Sequence, residues 1–159
     1  MRKIIVMLVS LLLLLSGCGS EPKQEVKITS ETLLAALSSV STCGETIIYT
    51  AETDPNEKLG RPDNYIGKAD FEDTRCEQLG EYYVGGTFEY FSSEKNCNSR
   101  HEYLLKLSDP SLGAFGVNQY IYKYSTVILR VDYDLTLEQA EEYRDAMTEY
   151  LGEEPEQNY

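Results

Sequence analysis

The spacing of apolar positions along this chain changes repeatedly, and each change marks a predicted element. Leu33, Leu34, Leu37 and Val40 recur at helical spacing, which predicts a helix capped at Ser30, with Glu31 in its first turn and its end near Ser41. Thr46 to Ala51 is β-branched and aromatic and predicts a strand. Tyr65, Gly67, Ala69 and Phe71 then alternate with Ile66, Lys68, Asp70 and Glu72, the period of a strand with one buried face. Between these segments lie Asp54-Pro55-Asn56 and Gly60-Arg61-Pro62, both turn chemistry. Gly85-Gly86 opens a strand from Thr87 to Phe91, and Ser92 and Ser93 offer caps for a helix reaching about Leu107. After the Asp109-Pro110 break, the runs 119–124 and 126–131 predict a hairpin. Thr136-Leu137-Glu138-Gln139 fits a capping box. It opens a helix whose stripe of Ala140, Tyr143, Met147, Tyr150 and Leu151 stops at Gly152 and Pro155.

Helices with one apolar stripe and strands joined by hairpins predict an α+β, two-layer domain, an antiparallel sheet of about five strands packed by two or three helices. From Thr87 onward the β-α-β-β-α run is partly ferredoxin-like, with one strand lacking or displaced. The expected domain covers 30–152, followed by an acidic tail at 153–159.

The first residues follow neither period. Arg2 and Lys3 precede an apolar run from Ile4 to Val9 that resumes from Leu11 to Leu15, the layout of an export signal. At about a dozen apolar residues the run is shorter than the roughly 20 that span a bilayer. Leu15-Ser16-Gly17-Cys18 follows, which resembles the lipobox of bacterial lipoproteins. That resemblance implies removal of residues 1–17, cleavage between Gly17 and Cys18, and a diacylglyceryl thioether on Cys18, with acylation of the freed amine often added. Residues 18–29 then read as a lipidated tether, and the expected location is the cell membrane, lipid-anchored on its extracytoplasmic face.

Charge narrows the partners. The chain carries 14 basic and 27 acidic side chains, and loss of Arg2 and Lys3 leaves 12 against 27. Nucleic acid is excluded as a partner, because it requires clustered Lys and Arg. The acids from Glu138 to Glu156 read as a solvated helix face, or as an anionic surface for a basic partner or a cation.

Candidate chemistry is sparse. Cys43, Cys76 and Cys97 remain once Cys18 is lipidated; an odd count leaves at least one unpaired within the chain, and three single disulfides are open. His101 lies one helical turn after Cys97, a spacing for a thiol and base or for two metal ligands, but two further ligands are missing, and the face shared with Leu104 and Leu105 makes a packed core position the expectation. The pairs Asp70/Glu72 and Asp132/Asp134 share a face if they lie on strands, as solvated acids constantly do. Phosphate-loop, GxSxG and HExxH patterns are absent. No catalytic residue, metal or cofactor is therefore expected.

Two features point to binding. Pro62 forces Arg61 towards an extended conformation, from which its guanidinium can clamp a carboxylate or phosphate, or pair with a nearby acid and fix the loop. Thirteen tyrosines accompany no tryptophan; Tyr82, Tyr83 and Tyr90 lie on or beside predicted strands, and Tyr120, Tyr122 and Tyr124 point one way along the hairpin. Those three form either a binding ridge or the face that packs on the helices.

The segments Thr50-Ala51-Glu52-Thr53-Asp54-Pro55-Asn56, Leu59-Gly60-Arg61-Pro62 with Tyr65, Gly85-Gly86-Thr87-Phe88-Glu89-Tyr90-Phe91, and Leu135-Thr136-Leu137-Glu138-Gln139-Ala140 with Tyr143 resemble a group of small uncharacterised lipoproteins of Gram-positive bacteria. The resemblance spans Tyr49 to Met147 and implies export and lipidation without supplying an activity. The expected function is a membrane-anchored, non-enzymatic binding or interaction module for a protein or envelope component, through Arg61 or the tyrosines. A small-ligand or cation-binding lipoprotein and a cell-envelope enzyme are the alternatives.

Overall fold

A computed structural model describes residues 26–77, 84–108 and 118–158. The signal segment, Gly17, Cys18, Tyr82, Tyr83 and the Asp109-Pro110 break lie outside them.

Helix α1 spans Ser30–Leu37. Its cap is Thr29 and not Ser30: Thr29 is extended and accepts the Thr32 N–H, while the Thr32 hydroxyl oxygen accepts the Thr29 N–H at 3.1 Å. The helix ends four residues before the expected Ser41, because tighter bonds from Ser39 N–H to Ala36 and from Val40 N–H to Leu37 close its last turn. Val40 still reaches the core through that turn. Val26 and Ile28 pack on the same core, and Tyr150 donates to the Lys27 carbonyl at 2.7 Å. The expected tether therefore gives way to folded chain by Val26.

The strands are β1 (Cys43–Ile48), β2 (Gly67–Asp73) and β3 (Gly85–Tyr90), then, after helix α2 (Glu94–Leu107), β4 (Gln119–Lys123) and β5 (Val127–Asp132). Helix α3 (Leu137–Leu151) carries the expected capping box at Thr136 and Gln139 and ends on Gly152 at φ 66°, a left-handed position that suits glycine. Strand β1 starts and stops three residues before expectation, since bonds from Thr53 and Asp54 N–H to the Thr50 carbonyl turn the chain.

Residues 156–158, expected in a tail, form β6 (Glu156–Asn158). Glu156 lies opposite Lys123 in the pairing with β4, and their ion pair at 3.0 Å holds the strand there. The result is one six-stranded antiparallel sheet in the order β1-β2-β3-β5-β4-β6, an α+β fold as the pattern predicts.

From β3 onward the chain is β-α-β-β-α-β. Strands β3 and β4 run parallel with β5 between them, and β5 and β6 run parallel with β4 between them. This is the split βαβ unit of ferredoxin-like folds, with the fourth strand displaced to the β4 edge. Both crossovers advance in one direction across the sheet but start from strands that run oppositely. A common right-handed crossover then carries α2 and α3 to opposite faces.

The clusters agree with that placement. Helices α1 and α3 cover Ala69, Phe71, Phe88, Tyr122 and Leu129, whereas α2 packs Cys97 and Leu104 on Ile121 and Ile128 from the other side. Tyr65 precedes β2, and joins the α2 cluster instead of the Ala69 and Phe71 face expected for it. At the end of β2 the buried Asp73 accepts hydrogen bonds from Thr42, Arg75 and Tyr143, tying sheet, first turn and α3 together.

Candidate functional site

The sheet face under α2 is polar by register. Lys68, Glu89, Ile128, Lys123 and Glu156 lie opposite one another in one row across the strands. Asp70, Thr87, Arg130 and Ile121 form the next. Ile121 and Ile128 mark where α2 packs; apart from Ile47, opposite Asp70 at the β1 end, the rest of these two rows is charge and hydrogen bond.

Glu89 is its centre. It is wholly buried and binds Arg100 from α2 through both oxygens, at 2.6 and 2.7 Å, with Arg130 at 3.4 Å. Burial alone would raise this carboxyl, but Arg130 and Arg100 overcome it and hold Glu89 below its ordinary range. Arg130 also donates to Gln119, and Gln119 to Asp132, whose other oxygen accepts the Gly85 N–H. On the β2 side Asp70 accepts the hydroxyls of Tyr49 and Thr87. Asp70 and Asp132 are thus half-buried and committed to bonds within the fold instead of being solvated, and Asp134 lies beyond the end of β5.

Asp54 organises the loop between β1 and β2. Its buried side chain accepts the N–H groups of Asn56, Lys58 and Leu59, the Tyr65 hydroxyl at 2.6 Å and the Lys68 ammonium at 3.3 Å. Burial opposes ionisation here too, and the bonds from Tyr65 and the backbone outweigh it, so Asp54 stays far below the usual carboxylate range. Burial and the bond to Asp54 push the Tyr65 phenol up in turn. The backbone takes positive φ at Glu57, Gly60 and Asp63. Two of these are not glycine, and such conformations persist only where surroundings impose them.

Arg61 sits on this loop with its side chain 64% exposed, 3.7 Å from Glu57, itself 82% exposed. It pairs with a neighbouring acid, but the pair does not fix the loop to the sheet; Asp54 does. The guanidinium faces solvent on a framed loop. The only sign of Asp54's role in the sequence is the turn motif itself, which does not tell a hub from an ordinary turn acid.

The other expected residues fall differently. Tyr122 and Tyr124 are buried in the α3-side core, and Tyr124 donates to the Arg144 carbonyl at 3.0 Å. They form the packing face, and the ridge reading does not survive. Tyr120 is half-buried, stacked edge-on against Tyr133 with centroids 4.5 Å apart and donating to the Leu135 carbonyl. Cys97 is fully buried with its thiol towards the Tyr124 carbonyl, and burial pushes it up to about 12. A thiol held protonated is no nucleophile. Cys43 and Cys76 are free as well, with burial and Asp73 pushing Cys76 up to about 11.

His101 lines a groove of about 450 Å³ between α2 and the β4–β6 edge, with Glu94, Asn98, Glu102, Leu105, Lys123, Glu156 and Gln157. Burial and Lys123 lower His101 against the opposing pull of Glu156, so it is neutral at pH 7. Among the described residues, no three His, Cys, Asp or Glu side chains converge to hold a metal ion, and no helix is long and apolar enough to cross a membrane. No family model, curated protein or solved structure matches this chain.

Proposed function

We propose that this chain is a lipid-anchored, extracytoplasmic, non-enzymatic binding module that presents the Arg61 loop to a protein or envelope component. The observation that carries the reading is Leu15-Ser16-Gly17-Cys18 directly after a short apolar run. Eight residue steps separate Cys18 from Val26, a reach of at most about 29 Å when extended, so the domain stays close to the bilayer. The resemblance of the 49–147 stretch to small Gram-positive lipoproteins points the same way. The binding half is supported by a loop that Asp54 holds rigid while Arg61 remains exposed, since a preorganised loop loses little entropy on binding. An exposed arginine of this kind suits a carboxylate or phosphate.

Intact mass of the protein from membranes of its source is the deciding measurement. A species that starts at Cys18 and carries two or three acyl chains supports the anchor. An unacylated, freely secreted or uncleaved species removes it. A second reading, small-ligand or cation binding, is favoured by one observation, the acid-lined groove beside α2.

A further inference from the structure

Strand β1 forms one edge of the sheet, so its backbone is paired on one side only. Tyr49 N–H donates to the Lys68 carbonyl at 3.1 Å, and two residues earlier Ile47 lies opposite Asp70. Antiparallel bonding alternates along a strand, so Ile47 bonds β2 while Thr46 and Ile48 turn their N–H and C=O groups outward. Among the described residues no protein group bonds these outward groups. Sheet edges are ordinarily guarded by charge, proline or a bulge. Here the register shifts between Cys43 and Thr46 and Glu45 is exposed, which guards the first half of β1. From Thr46 to Ile48 the edge is uncharged and β-branched, with Ile48 42% exposed.

The occupant that fits this stretch is the same stretch of a second copy. We infer that two chains join antiparallel through β1, Thr46 of each bonding Ile48 of the other, about a two-fold axis at Ile47. This register pairs every outward N–H with a C=O of the other copy. A slip in one direction would call on Thr50, whose N–H already donates to the Thr53 hydroxyl, and a slip in the other would run into the bulge. Charge permits the contact despite the acidity of the chain, because Glu45 is the only ionised residue on β1 and falls opposite Tyr49 of the other copy, not a second Glu45. The two-fold axis stands perpendicular to the sheet, so each face continues across the joint. Helices α1 and α3 and Val26 of both copies then lie on one side, and both chains lead off from Val26 on that side. The inference names a different surface and partner from the Arg61 loop, and does not require the anchor.

The contact is shorter than a permanent interface, so the test traps it by oxidative cross-linking of the full-length protein in detergent, with copper phenanthroline and air as oxidant. The parent chain carries Cys43→Ser and Cys76→Ser. Ile47→Cys in that parent sets two sulfurs across the axis, where opposed residues of a non-hydrogen-bonded pair have Cα atoms about 4.5 Å apart, within disulfide reach. It should give more disulfide dimer than the parent, and more than Glu45→Cys, which is the more exposed position and would lead if collisions were random. Ile48→Pro removes an outward N–H and no bond to β2. Added to Ile47→Cys, it should lower the dimer yield by about fivefold or more at an unchanged melting temperature, since each copy loses a bond across the joint. Ile48→Thr keeps that N–H and should leave the yield of Ile47→Cys intact. A yield that follows exposure, with Glu45→Cys ahead, overturns the pairing, as does an Ile47→Cys yield no greater than that of the parent. Equal loss from Ile48→Thr and Ile48→Pro would trace the contact to the apolar side chain and overturn it as well.

Discussion

On one face of the sheet Phe71, Phe88 and Leu129 present carbon to α1 and α3; at adjacent positions of the same strands Asp70, Glu89 and Arg130 present charge towards α2 and the Asp54 loop. The two faces are equally closed at their centres, for Phe88 and Glu89 are both 0% exposed. They differ in what closure demands. Apolar contact needs volume and tolerates a change of shape. A buried charge needs its partner at a particular atom, and fails when that atom is lost.

The largest contrast should come from Glu89. Glu89→Gln leaves Arg100 and Arg130 buried without a counter-charge and should cost about 3–5 kcal/mol in urea unfolding. Replacing all three together by methionine should cost less than this single change, because the stranded charges leave with it. A triple variant less stable than Glu89→Gln would show that the network contributes more than mutual charge compensation. On the apolar face the order reverses. Leu129→Ala should cost about 2–5 kcal/mol through lost burial and a cavity, while Leu129→Met should stay below about 1.5 kcal/mol.

That difference also decides what could be read beforehand. The apolar face is written in periodicity, so Leu33, Leu37, Ala69, Phe71, Tyr143 and Met147 were legible as core, together with both ends of α3. The polar face is written in pairs distant along the chain, such as Glu89 with Arg100 or Asp54 with Lys68, and such residues look alike whether buried or solvated. Tyr122 and Tyr124 read as surface or as core alike for the same reason, since tyrosine suits an exposed strand and a buried one equally. Strand β6 escaped notice because three polar residues after a proline carry no period; only Lys123, from another strand, gives Glu156 a place. The groove beside α2 depends on β6 and was hidden with it.

Acid should separate the two faces. Asp54 and Glu89 are held below their ordinary values in the fold, so below about pH 5 the unfolded chain binds more protons than the native one. Their contribution is therefore complete above about pH 5 and is lost as pH falls through the folded values, while the apolar contacts of the other face, Asp73 apart, do not change with pH. Asp54→Asn removes the ion pair with Lys68 and weakens the remaining bonds, and should cost about 1.5–3 kcal/mol at neutral pH. The gap from the unsubstituted protein should narrow steadily below pH 4 in chemical denaturation. A gap that is constant down to pH 2 would mean that Asp54 acts through shape and not through charge.

The smallest effect belongs to Arg61, and its smallness carries information. Its ion pair with Glu57 is exposed on both sides, where such pairs contribute about 0–1 kcal/mol. If Asp54 alone frames the loop, Arg61→Ala should leave the melting temperature within about a degree, corresponding to a few tenths of a kcal/mol for a domain of this size. A loss comparable with that of Asp54→Asn would make Arg61 part of the frame, and a residue spent on framing is not on offer to a partner. Stability kept alongside lost binding is the combination that would place Arg61 on the outside of this architecture, held out by a charge that is itself buried.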